Sequence, residues 1–420
     1  DLRSRRPASC QTESSKADTS PKNVSSRSRR WQFSGVKIPT ISRRNIVLGV
    51  VILTLLGISG TLEKARRFVI RRARILGQNR YFTEGWTIID GEAHQTWLRA
   101  QQYYLSELPK IRASAQNFSV HSYFASVRQH ITTKKIGWYE IIGFRAKEMA
   151  ILLEEHARDD YRVEKDKCEM MDFFMRNDFP MPKVYKVWRD KAKAIEELKR
   201  DAGKILEGSH FPVFLKSCHL TQGSSKGTIP IKSLDHLRDS WASIERWITY
   251  KWQYRSDDWE RPWAADMNKL TDVLPPGLLV QGPFDIPDGP GTQFMELKVE
   301  VLYGRAYLAV ANEPYKGTIL TRDGNIEVYP SIRRQITNAA ILNPDETKWV
   351  QEEGHLPKVW SLAERAAKIM GVDEVRIDIF IRRGDPSGLA INENSLSSGM
   401  GYRMHFSFLA QVWAEGHLKQ

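Results

Sequence analysis

The sequence predicts an α+β protein whose strands pair mostly antiparallel, preceded by a helical region and one amino-terminal membrane-spanning helix. Three observations carry this. Beyond Arg162, short apolar runs of strand character alternate with segments of helical period, the pattern of sheets with helices packed on them. Links between late strands are short, Asp323-Gly324 in one case and "RRGDPSG" in another. Short links join antiparallel strands, because parallel ones need long crossovers. Residues 46–62 form an uncharged run of 17, at the lower limit of a bilayer span of roughly 20.

The amino-terminal segments come first. Of the 63 Lys and Arg, 17 fall in residues 1–75, with 4 of the 50 Asp and Glu; that stretch holds the whole net charge of +13, and the remainder has 46 of each sign. A nucleic-acid binder needs a basic footprint on its folded part, so the case for a nucleic-acid partner disappears. Residues 1–44, rich in Ser and Arg, read as a disordered basic tail. Residues 45–62 read as an anchor helix with Arg43, Arg44, Lys64, Arg66 and Arg67 at the headgroups. That implies a single-pass membrane protein, endomembrane or Golgi-like, of undetermined orientation. A cleaved signal or targeting sequence is the other reading of the run. Residues 63–160 follow as a basic stem and helical region, with the periodicity broken by Pro109 and by the polar stretch 112–120.

Residues 161–275 are expected to form an amino-terminal lobe. Its elements are a helix near 165–177, a strand near 183–188, a helix near 191–206, strands at 213–216 and 228–231, and a helix at 235–249 before a Trp-rich stretch. Residues 276–420 are expected to form a carboxy-terminal lobe: a strand at 278–280, the hairpins "FMELKVEVLYGRAYLAVAN" and "TILTRDGNIEVYP", a helix at 357–370, and strands at 374–381 and 389–393. Cys10, Cys168 and Cys218 are few and widely spaced, which suggests neither a disulfide framework nor a zinc site.

Two stretches carry chemistry. In "PVFLKSCHLTQGSSKG", residues 212–227, Gly223 is followed by Ser224, Ser225 and Lys226, so this is no Walker loop. It reads instead as a hairpin that delivers Lys216 from a strand while its Gly/Ser tip folds over a nucleotide; a plain exposed hairpin is the other reading. In "EVRIDIF" alternation puts Val375, Ile377 and Ile379 on one face and Arg376, Asp378 and Phe380 on the other. In "LAINENSLSSGMGY" the same rule groups Leu389, Ile391 and Glu393, with Ser395 in step. An antiparallel pairing makes Asp378 and Glu393 neighbours, and adjacent carboxylates call for a cation between them. Oxygen-only ligands suit Mg²⁺ or Mn²⁺. The alternative is that Asp378 pairs with Arg376 or Arg403 and Glu393 caps a turn.

Taken in series, residues 162–410, about 250 of 420, resemble the ATP-grasp superfamily, and in particular its teichuronopeptide-biosynthesis (TupA-like) branch. The D-K dipeptide of that branch is matched by Asp166-Lys167, its second lysine by Lys216, and its aromatic stretch by "ITYKWQYRSDDWERPW". Its hinge strand is matched by "LLVQGPF", which contains Val280 and Gln281, and its D-Y-K-F-F segment by "ELKVEVLYGRAYLA", which places Lys298. Its closing R-V-D-L-Y and G-E-L-T-F-T motifs are matched by "RIDIF" and "NENSLSSGMGY". Two departures stand out: Gln281 replaces the hinge acid, and Ser395 stands where an Asn is usual.

The resemblance implies an ATP-grasp fold, two α+β lobes gripping ATP. Lys167 and Lys216 would bind phosphates, and the loop with Gln222, Gly223, Ser224 and Ser225 would close over them. Val280 and Gln281 would border the adenine, and Asp378, Glu393 and Ser395 would hold Mg²⁺ or Mn²⁺. Arg376 or Arg333 would meet the γ-phosphate or acyl phosphate, with Lys298 nearby. The implied activity is a carboxylate–amine ligase acting through an acyl phosphate, with a glycan or peptide-like acceptor. A phosphotransferase on the same fold, a membrane-anchored glycosyltransferase, which would want a D-x-D motif after a strand where "SDDW" at 256–259 sits in a polar loop, and an inactive nucleotide-binding module remain open.

Overall fold

The computed structural model describes residues 91–220, 227–255, 264–284, 294–311, 318–328, 345–398 and 402–418, all within the unit Lys64–Gln420. The tail, the apolar run 46–62, the loop residues 222–225, the "SDDW" stretch and Arg333 lie outside the described residues. Among the described residues no helix is long and apolar enough to cross a membrane.

A helical layer comes first: α1 (Gly91–Asn117), short α2 (Ser122–Ala125), a 3₁₀ turn (Ser126–His130) and α3 (Trp138–His156). In α1, Ala100, Tyr104, Leu108, Ile111 and Ala115 are buried, a spacing of three or four that lays one stripe on the core. The stripe carries the helix through Pro109, where the sequence predicted a break. Proline removes one backbone bond and strains the turn, but packed residues on either side hold it. Tyr104 stacks on Phe408 of α12 (Phe406–Leu418), with ring centroids 5.1 Å apart. In α3 the buried Arg145 reaches the sheet, bonding Glu374 Oε2 at 2.5 Å and pairing with Asp373. A buried guanidinium is tolerated only with such partners.

The small lobe opens with α4 (Arg162–Lys165) and α5 (Lys167–Arg176). Its sheet has β1 (Val184–Trp188), β4 (Leu278–Gln281), β2 (Val213–Ser217) and β3 (Thr228–Ile231) in that spatial order, every pair antiparallel. Helix α6 (Lys191–Ile205) supplies Ala194 and Leu198 to a core with Val213, Leu215, Ile231 and Val280. The single helix expected at 235–249 is two, α7 (Leu234–Asp239) and α8 (Trp241–Gln253), because Ser240 ends one and starts the other. Helix α9 (Ala264–Asp272) leads back to β4.

The large lobe is a six-stranded antiparallel sheet in the order β10-β9-β5-β6-β7-β8. Its strands are β5 (Phe294–Leu302), β6 (Arg305–Ala311), β7 (Thr318–Thr321), β8 (Ile326–Val328), β9 (Glu374–Arg382) and β10 (Asp385–Ser395). Between β8 and β9 run α10 (Asp345–Glu352) and α11 (His355–Met370). Val375, Ile377 and Ile379 of β9 are buried in the same core as Val359, Ala363, Ala366 and Ala367 of α11. That leaves the other sheet face to Arg376 and Asp378. Strict alternation fails in β10. Ile391 pairs with Ile379, but Glu393 pairs with Asp378, so a bulge at Asn392 moves Glu393 off the apolar face that Ile391 shares.

Candidate active site

Lys167 of the small lobe is placed by helix capping. Asp166 precedes α5 with extended backbone, and its carboxylate accepts the amides of Cys168 at 2.9 Å and Glu169 at 3.3 Å. Arg189 holds the same carboxylate with two further bonds, at 2.8 and 3.0 Å. The Asp of the D-K pair is thus a structural cap, and it presents Lys167 on the first turn. Lys167 is buried and ion-paired with Glu393 of the large lobe. Its backbone amide donates to the carbonyl of Cys218 at 2.8 Å. Cys168 and Cys218, 50 residues apart in sequence, form a disulfide that their spacing gave no reason to expect. The bridge ties the residue after Lys167 to the residue two beyond Lys216.

Lys216, on β2, is 9% exposed and has no ion pair among the described residues. Burial, and then the positive charge of Lys167, draw its pKa down to about 8. A buried ammonium with no ion pair is costly unless something negative joins it.

The large lobe supplies a cross-strand row. Lys298, Asp378 and Glu393 are register partners on β5, β9 and β10, and the next row is Glu300, Arg376 and Ser395. Arg376 forks onto Asp378, with Nε at 2.6 Å from Oδ1 and Nη2 at 3.0 Å from Oδ2. Lys298 pairs with the same carboxylate and with Glu296 at 3.2 Å. Asn392, turned out by the bulge, donates to Glu296 at 2.7 Å. Burial pushes the Glu393 carboxyl up, but Lys167, Lys216 and Lys298 outweigh it and hold the pKa at about 2. Burial acts against the Arg376 charge as well, and Asp378 more than restores it. Asp378 therefore does pair with Arg376, while Glu393 joins the lobes instead of capping a turn.

Asp378 and Glu393 are cross-strand register partners, and Glu393 and Ser395, though not Asp378, line a cavity of about 60 Å³. The all-oxygen donor set is of the kind that suits Mg²⁺. Ser395 Oγ lies 3.3 Å from Glu164 Oε1, Lys167 pairs with Glu393, and Lys298 and Arg376 pair with Asp378. The cluster Asp166, Cys168 and Cys218 is compact enough for a metal, but its sulfurs are bonded to each other and its carboxylate is spent on the cap and Arg189.

The structure thus brings together Lys167, Lys216, Lys298, Arg376, Asp378, Glu393 and Ser395. Val280 lies in the small-lobe core, and Gln281 turns its amide to Met171 Sδ at 3.4 Å, so neither side chain joins the cluster. Sequence reasoning missed Glu296, which stands two residues before Lys298 and shares its face by alternation. It also missed Glu164 and Lys165, for which nothing in the local pattern gave a signal.

No protein-family model matches the chain, and no curated protein matches it in sequence. Among solved structures it is similar to D-alanyl-alanine synthetase A from Vibrio cholerae, at 16% identity and a TM-score of 0.34, covering 62% of this chain and 67% of that one. It is also similar to the D-alanine-D-alanine ligase from Coxiella burnetii, at 15% identity and TM-score 0.37, covering 67% and 68%. A third is a biotin carboxylase–ATP-analogue complex from Campylobacter jejuni, at 12% and 0.38, where 67% of this chain spans about half, 53%, of that one. These neighbours are ATP-grasp enzymes. At such scores the likeness carries no argument about activity, which rests on the side chains.

Proposed function

We propose that the chain is an ATP-grasp enzyme: an ATP- and Mg²⁺-dependent carboxylate–amine ligase that works through an acyl phosphate. The observation that carries this reading is the meeting of Lys167 and Lys216 from one lobe with Lys298, Arg376 and the Asp378–Glu393 pair from the other. A triphosphate needs converging cations, and attack on it by a carboxylate needs repulsion between anions offset. Lys216, buried with no ion pair among the described residues, is suited to a phosphate oxygen, and Lys167 exchanges Glu393 for another. Mg²⁺ held by Asp378, Glu393 and Ser395 would supply further neutralisation of phosphate charge. Arg376 and Lys298 then face the transferred phosphoryl group. The acid oxygen bonds to the γ-phosphorus as ADP leaves, and an amine displaces phosphate from the acyl carbon.

The TupA-like resemblance of the closing motifs, a glycan or peptide-like acceptor, and membrane attachment through residues 46–62 belong to the same proposal. The test is ADP release from Mg·ATP over paired acids and amines, comparing the parent with Glu393→Gln and Lys216→Ala. Release that needs both partners and falls at least tenfold in both variants is expected; equal rates in all three sink the assignment.

A further inference from the structure

We propose that Tyr402 is a positioning residue for Arg376: acting through Ser398, it fixes the guanidinium that faces the transferred phosphoryl group and keeps it fixed when a metal takes Asp378. The inference rests on the ligase reading above, in which Arg376 meets the phosphoryl oxygens. The device is a chain of hydrogen bonds. Arg376 Nη1 donates to Ser398 Oγ at 3.3 Å, Ser398 Oγ lies 2.6 Å from the Tyr402 hydroxyl, and that hydroxyl donates to Glu300 Oε2. Ser398, Tyr402 and Glu300 are fully buried.

Proton counting gives the chain one direction. A phenol has a single O–H and Glu300 takes it, so Tyr402 meets Ser398 as an acceptor. Ser398 then gives its own proton to Tyr402, which leaves its lone pairs to Arg376. Glu300 Oε1 and Glu374 Oε1 are buried without a donor, and a proton shared between these carboxyls satisfies both. Burial and then Glu374 push the Glu300 carboxyl well above its usual range, so that proton is present. Glu374 Oε2 in turn accepts from Arg145 at 2.5 Å. Reversing any link leaves a buried polar atom unpaired, which is costly.

The chain is rigidly mounted. The Tyr402 ring stands edge-on to Trp138 with centroids 5.6 Å apart, and Trp138 Nε1 donates to the Ser398 carbonyl at 3.1 Å. Helix α3, which carries Trp138 and Arg145, therefore holds the serine, the tyrosine and the far end of the chain. On its other edge Arg376 depends on Asp378, whose oxygens Lys298 also claims. A metal on Asp378 competes for those oxygens, whereas Ser398 stands outside that competition. Donors held in place before charge develops are the ones that stabilise a transition state, so the hold at Ser398 bears on phosphoryl transfer.

The experiment is titration calorimetry of the full chain with Mg·ADP alone and with Mg·ADP plus aluminium fluoride, which mimics the phosphoryl group in transfer. The parent is expected to bind the fluoride complex roughly a hundredfold tighter than Mg·ADP. Tyr402→Phe and Ser398→Ala are each expected to lower that preference roughly tenfold while Mg·ADP affinity stays within about threefold of the parent. Tyr303→Phe removes an equally buried hydroxyl, bonded to the Trp413 carbonyl at 2.5 Å and absent from the chain to Arg376, and should keep the preference. In an Arg376→Gln background, adding Tyr402→Phe should cost nothing further. An unchanged preference in either folded variant, or a loss from Tyr402→Phe that persists without Arg376, overturns the positioning role. If Tyr402→Phe does not fold, Ser398→Ala decides. A parent that binds no Mg·ADP rejects the ligase reading itself, whereas Mg·ADP bound with the preference intact in the variants rejects only the role of Tyr402.

Discussion

Replacing Lys216 by Met separates what its ammonium costs the fold from what it gives a nucleotide. The side chain is 9% exposed, and burial followed by the Lys167 charge lowers its pKa from 10.5 to about 8. The gap corresponds to roughly 3 kcal/mol against the charged form in the folded chain at neutral pH. The sign follows from proton binding: between about 8 and 10.5 the unfolded chain holds the proton more tightly, so parent stability from this group rises with pH across that window. Met keeps the apolar stem and removes the charge, so at pH 7 Lys216→Met should be more stable than the parent by up to roughly 3 kcal/mol, with the advantage fading towards pH 10.5. The same variant loses a charge-assisted phosphate contact of about 1.5–3 kcal/mol, roughly 10- to 100-fold in Mg·ATP affinity. Urea unfolding at pH 7 and 10, followed by tryptophan fluorescence, reads the first effect, and titration calorimetry the second. A variant less stable than the parent at pH 7 refutes the electrostatic argument, and unchanged ATP affinity refutes the phosphate assignment.

Other groups give independent checks. Glu393, held at about 2 by Lys167, Lys216 and Lys298 against burial, contributes stability above pH 4.5 that is lost as pH falls towards 2. Glu393→Gln should flatten that acid limb by roughly 2 kcal/mol, discounted for a side chain that is 29% exposed, as acid unfolding curves will read. Burial and then Glu374 push the Glu300 carboxyl well above its usual range, so its stabilising share is complete below pH 4.5 and declines as pH rises from there. Glu300→Gln should therefore match or exceed parent stability at pH 8 in thermal melts. The Cys168–Cys218 bridge closes a loop over 50 residues, worth roughly 4 kcal/mol on chain entropy. The double Ala variant should lose stability on that order in urea and bind ATP more weakly, because both lysine segments are tied to the bridge.

Much of the architecture was legible in the sequence because it is local. Alternation in β9 set Ile377 on one face and Asp378 on the other, and the short "RRGDPSG" link dictated an antiparallel pair. What escaped was non-local or off-period. The bulge at Asn392 has no turn residue to announce it, yet it decides which face Glu393 occupies. Pro109 reads as a breaker until the buried stripe on both sides of it is seen. The disulfide depends on β2 ending beside the first turn of α5, a contact between segments 50 residues apart. Lys167 and Lys216 were marked by motif order, but the electrostatic coupling of both to Glu393 is visible only once the two lobes are packed.

The central claim is settled most directly by phosphorus NMR of Mg·ATP incubated with the full chain and a matrix of carboxylic acids and primary amines. The account predicts ADP and free phosphate in equal amounts, only where an acid and an amine are both present, with a hydroxamate formed when hydroxylamine replaces the amine. Transfer of the γ-phosphate to a stable phosphoester, or ATP turnover independent of any acid, contradicts it.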